Sequence, residues 1–100
     1  MKVKVAKAEE YMLDWMVNKA DGLNELLAPV PYSRRWDMAG TIIERGEIAI
    51  WKDCDGGWLA SMHEGMGRDS HGPTPLIAAM RCYVASKLGD EVEVPDDVAR

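Results

Sequence analysis

The pair Thr74-Pro75 places a hydroxyl helix cap directly before a proline at the first helical position, where the missing N–H removes no hydrogen bond. It is the clearest helix start in the chain. Leu76, Ile77, Met80, Tyr83, Val84 and Leu88 then recur at helical spacing as a wide apolar stripe, with Arg81 and Lys87 expected outside it and Gly89 as the stop. Burying four such side chains is worth on the order of 6 to 12 kcal/mol of gross transfer energy, at about 1.5 to 3 kcal/mol each, before conformational entropy is subtracted. This helix is therefore expected to be core, and the rest of the chain has to cover it.

A second strong signal lies just upstream. Glu47 to Lys52 and Trp58 to His63 are rich in strand formers and flank Asp53-Cys54-Asp55-Gly56-Gly57, a connection with the glycines a reversing hairpin needs. Alternation puts Ile48 and Ile50 on the face opposite Ala49 and Trp51, and Trp58, Ala60 and Met62 opposite Leu59 and Ser61. One face is expected to cover the core. Between this hairpin and Thr74, the stretch His63 to Pro73, with Gly65, Gly67 and Gly72, reads as a loop.

Earlier in the chain, Met12, Leu13, Met16, Val17 and Ala20 lie three and four residues apart, the pattern of one helix face, with Glu9, Asp14 and Lys19 outside and Asp21-Gly22 as a left-handed stop. Leu23 to Leu27 is read as one further turn at most. Pro29 and Pro31 forbid continued helix, and residues 28–46 are expected to be mostly irregular. Lys2 to Val5 alternates like a short strand, with a frayed leader as the other reading, and residues 90–100 read as an extended acidic tail carrying Asp90, Glu91, Glu93, Asp96 and Asp97. The pattern predicts one α+β domain over residues 1–100, of order (β)αββα, a small antiparallel sheet of two or three strands covered by two amphipathic helices.

Twelve Lys and Arg against seventeen Asp and Glu leave a net charge of −5, which disfavours general attraction to nucleic acid or anionic lipid. Neither a signal-peptide core nor an apolar run of membrane-spanning length occurs, so the reading is cytoplasmic. Cys54 and Cys82 are too few for a disulfide scaffold. With His63 and His71 they offer zinc-type donors, but successive members stand eight or more residues apart, unlike the close pairs of a structural zinc site. No cofactor or metal is implied.

Other chemistry is thin. Gly65-Met66-Gly67-Arg68-Asp69-Ser70 begins like a dinucleotide fingerprint and lacks its third glycine, leaving only a glycine-rich loop that could present N–H groups to an anion with Arg68 and His71 beside them. Four tryptophans without a phenylalanine is an unusual surplus, of which Trp15 and Trp58 are read as packing residues and Trp36 and Trp51 as candidates for exposure. Tyr32, Arg34, Arg35 and Trp36 form a small basic and aromatic cluster. The candidate binding residues are therefore Tyr32, Arg34, Arg35, Trp36, Trp51, Arg68 and His71, and none is catalytic.

At Tyr32-Ser33, Trp36, Gly40-Thr41-Ile42-Ile43-Glu44-Arg45 and the long run from Gly72-Pro73-Thr74-Pro75 to Lys87-Leu88-Gly89, the chain resembles the NinX family of small lambdoid phage and prophage proteins. The N-terminal Met-Lys-Val-Lys and the Gly56-Gly57-Trp58 turn are also similar to that family, while Thr41 stands where members often carry proline. The helix, glycine-turned sheet and proline-led final helix are similar, more distantly, to the phage domains called ABA sandwiches. The resemblance implies a phage-encoded protein acting in the cytoplasm of an infected or lysogenic bacterium, and brings no catalytic residues with it.

The expected function is that of a non-enzymatic accessory protein that binds a host or phage protein, with a homodimer as another use for the surplus aromatics. The alternative is a nucleic-acid-associated protein using Arg34, Arg35 and Arg68, or an acidic DNA mimic, linked to phage recombination or regulation. A small enzyme built on the His63 to His71 loop is the third.

Overall fold

In a computed structural model, α3 (Pro75–Leu88) is the element around which the others are arranged. The structure describes residues 1–22, 30–62, 69–96 and 98. Thr74 caps α3 as its sequence requires, its Oγ1 accepting from the Ile77 N–H at 3.2 Å. Every residue from Leu76 to Val84 is buried, so the expected stripe becomes a helix enclosed on all sides over that stretch. Arg81, expected outside, is 6% exposed.

The reason lies in what α3 touches. The helix α1 (Glu10–Ala20), the helix α2 (Trp36–Gly46) and the strands β2 (Ile48–Lys52), β3 (Trp58–Met62), β4 (Ser70–Gly72) and β5 (Glu91–Glu93) all pack against it. The Arg81 nitrogens bind carbonyls in this interior. Nε donates to Ala8 O at 2.9 Å and Nη1 to His71 O at 2.8 Å, with exposed Glu9 3.8 Å from Nη2. Burial lowers its pKa, and Glu9 partly opposes that shift.

Helix α1 buries Leu13, Met16 and Val17 as its spacing predicts, and Gly22 closes it with φ +76°. Asp14, expected outside, is buried instead. Its Oδ1 accepts from the Ser33 N–H at 2.8 Å, satisfying a backbone donor that folding takes out of water. The possible turn at Leu23 to Leu27 lies outside the described residues.

Helix α2 corrects the irregular reading of residues 28–46. Ala39 and Ile42 are buried and Ile43 and Gly46 half-buried, a helical spacing of three, four and seven. Two glycines inside the element and a first residue preceded by Arg35 rather than a side-chain cap hide this helix in the sequence. Glu47, at φ +51°, turns the chain from α2 directly into β2.

The hairpin closes as Gly56-Gly57 predicts. Asp53 O accepts from the Gly56 N–H and Asp53 N–H donates to Gly57 O, both at 3.1 Å, the hydrogen bonding of a three-residue loop with a bulge, and Gly56 and Gly57 have φ of +95° and +83°. Register pairs Ile48 with Met62, Ile50 with Ala60 and Lys52 with Trp58. Ser70–Gly72, expected as loop, adds β4 as a third antiparallel strand, with Leu59 opposite His71. Gly72 permits this, since a Cβ there would lie 2.6 Å from Ala78 N at the start of α3.

The N-terminal strand β1 (Lys2–Lys4) forms as its alternation suggests, but in a second antiparallel sheet with β5 rather than in the hairpin sheet. Within the expected acidic tail, Glu91–Glu93 form β5 and are docked rather than loose. Val92 is 3% exposed and Val94 fully buried, while the acids around them face water. Helices on small antiparallel sheets make the fold α+β.

Candidate functional site

Alternation along β2 and β3 separates two faces with different fates. Ile48 and Ala60 are buried and Ile50, Trp58 and Met62 pack against the core, on the side that α3 covers. On the opposite face Ala49, Trp51 and His71 are exposed and Leu59 and Ser61 half-buried. Register sets Trp51 opposite Leu59 and Leu59 opposite His71, so three strands contribute one cross-strand row of indole, aliphatic chain and imidazole. Trp51 is 40% exposed.

His71 is fixed within this row from several directions. Its Nε2 lies 3.2 Å from Asp53 Oδ2, and the other oxygen of Asp53 accepts from the Asp55 N–H at 3.3 Å. The imidazole rests over Gly57, where a Cβ would stand 3.0 Å from Nε2. Behind it the main-chain carbonyl is held by Arg81. A glycine turn, an aspartate and a buried arginine thus orient a side chain that still faces water.

The two candidates Trp51 and His71 are therefore brought together, with Leu59 and Asp53 as members that sequence reasoning missed. The other candidates separate. Tyr32 is 7% exposed and belongs to the interior, where burial and the charge of Asp21 raise its pKa. Arg35 pairs with Asp37 across 2.7 Å, and that hydrogen bond lowers the pKa of the Asp37 carboxyl. Arg34 is exposed, Trp36 is 56% exposed at the start of α2, and Arg68 and His63 lie outside the described residues.

Cys54 is exposed at the hairpin tip between Asp53 and Asp55, whereas Cys82 is buried on α3, where desolvation raises its thiol pKa. A second polar group lies where α1 and α2 end. Asp21 Oδ1 accepts from the Tyr83 hydroxyl at 2.7 Å and from Arg45 Nη2 at 3.0 Å, while Lys87 Nζ stands 5.9 Å from the Tyr83 ring. Burial and the bond to Asp21 push the Tyr83 pKa up to about 12. These groups are committed to one another and tie three helices together. Among the described residues no helix is long and apolar enough to cross a membrane.

A family model described as bacteriophage P22, NinX matches residues 29–87, and comparison with curated proteins finds no match. The matched span takes in α2, the whole three-stranded sheet and all but the last residue of α3, including the row of Trp51, Leu59 and His71. By that match, the chain belongs to the bacteriophage P22 NinX family.

Proposed function

We propose that the protein is a non-enzymatic phage accessory protein, acting in the cytoplasm of the infected or lysogenic bacterium, which binds a host or phage protein through the outer face of its three-stranded sheet. The carrying observation is the row of Trp51, Leu59 and His71, held in register and left facing water while the inner face of the same strands is covered by α3. An ordered aromatic side chain beside an aliphatic one supplies contact area at little entropic cost, which is the composition of binding hot spots. Nucleic-acid binding has less support, since Arg35 is engaged by Asp37 and Tyr32 is interior.

The test is affinity capture from lysate of infected host cells with three baits: the native chain, Trp51→Ala and Trp36→Ala. The native bait and Trp36→Ala are expected to retain the same partner and Trp51→Ala to lose it, with unchanged circular dichroism. A partner retained equally by Trp51→Ala, or none retained by the native bait, contradicts the reading.

A further inference from the structure

The three-stranded sheet ends in two edges, β2 and β4, and they are finished differently. Asp53 and Gly57 form the bonded pair that closes the hairpin, so alternation along the antiparallel ladder makes Trp51–Leu59 and Ala49–Ser61 the next bonded pairs. The N–H and C=O groups of Ile48, Ile50 and Lys52 consequently point away from β3. The same alternation turns the backbone groups of His71 outward on β4, and there Arg81 takes the carbonyl at 2.8 Å. Strand β4 is three residues long and capped. Strand β2 is five residues long, and among the described residues no backbone group pairs with its outer edge.

An uncapped edge strand is a template for another strand. We propose that the β2 edge takes an extended segment of the partner protein as a fourth strand, and that this segment carries Lys or Arg at both ends. The inference rests on the docking function proposed above and names the chemistry of the partner. Exposed Glu47 precedes β2 and exposed Asp55 follows it, with half-buried Asp53 beside the latter, against the single cation Lys52 in the strand, in a chain of net charge −5. Basic ends would meet these carboxylates, and a residue opposite Trp51 would lie on the same face as its indole.

A second copy of the chain fits this edge badly. Pairing β2 with its counterpart about Ile50 matches outward groups along the whole strand, but it sets Glu47 opposite Asp53 of the counterpart at both ends. Like charges directly opposite destabilise an antiparallel pair.

The experiment follows amide exchange by nuclear magnetic resonance in the full chain, with two synthetic peptides as probes. Both have a core of alternating valine and threonine; one has two basic residues at each end and the other two glutamates. The basic-ended peptide is expected to slow exchange of the Ile48, Ile50 and Lys52 amides by at least about tenfold at saturation, and the acid-ended one to leave them unchanged. Glu47→Lys combined with Asp55→Lys, both at exposed positions, is expected to reverse that preference. No protection of these amides, or equal protection by both peptides, overturns the proposal. Changes at the side chains of Trp51, Leu59 and His71 without edge protection overturn it while leaving the docking face intact. Protection that grows with protein concentration before any peptide is added overturns it in favour of a second copy.

Discussion

Arg81 and His71 meet through the main chain. The guanidinium Nη1 of Arg81, a residue 6% exposed on α3, donates to the carbonyl of His71 at 2.8 Å, while the His71 imidazole faces solvent on the other side of β4. One contact thus links the interior to the candidate docking row, and caps an edge strand at the same time.

Replacing Arg81 by Leu leaves the carbonyls of His71 and Ala8 without their donor. The expected loss is roughly 2 to 4 kcal/mol in urea unfolding, with Arg81→Lys losing less because an ammonium can still reach one carbonyl. Equal stability of Arg81→Leu and the native chain would show that neither bond contributes.

Tyr83 carries a pH signature. Its pKa, 10.0 unperturbed, is raised to about 12 by burial and by its bond to Asp21. A raised folded pKa means this contribution to stability is complete below pH 10 and is lost as pH rises towards about 12. Tyr83→Phe should cost about 1 kcal/mol at neutral pH and flatten the alkaline limb of the stability curve. An unchanged alkaline limb would contradict the assignment.

Asp14 titrates with the opposite consequence for neutral pH. Burial raises its pKa against the opposing effect of Ser33, so its charged form weakens the fold and that penalty fades as pH falls towards 3.8. Asp14→Asn keeps an acceptor for the Ser33 N–H and removes the charge, and is expected to be neutral or stabilising by up to about 1 kcal/mol at pH 7. Asp14→Ala orphans that N–H and should cost about 1 to 3 kcal/mol. Equal destabilisation by both in thermal melts would refute the account.

Gly57 tests the placement of the imidazole. With φ +83° and a would-be Cβ 3.0 Å from both His71 Nε2 and Gly72 O, Gly57→Ala is strained in backbone and in space. It should cost about 1 to 3 kcal/mol and shift the His71 ring resonances. Gly56, at φ +95° with open space around it, should accept Asn without moving His71.

Local chemistry made α3, the hairpin and the apolar face of α1 legible, because Thr74-Pro75, Gly56-Gly57 and the run from Met12 to Ala20 each carry their own physical reason. The features that stayed hidden depend on distant partners. Ser70–Gly72 has no strand pattern and is a strand only because β3 pairs with it, and Val92 is buried because β5 pairs with β1 and packs against α3. Arg81 and Asp14 look like surface charges until the carbonyls and the N–H they satisfy are brought to them. At the site, Trp51 and His71 were each visible as residues, but their alignment through Leu59 exists only in the register of three strands.

The most direct test places a photo-activated cross-linking residue at position 51 and, separately, at position 11, where Tyr11 is 57% exposed on α1, a helix that packs on α3. After irradiation of infected cells, position 51 is expected to give a discrete adduct with one protein and position 11 not to give it. The same adduct from both positions, or none from position 51, would contradict docking through the sheet face.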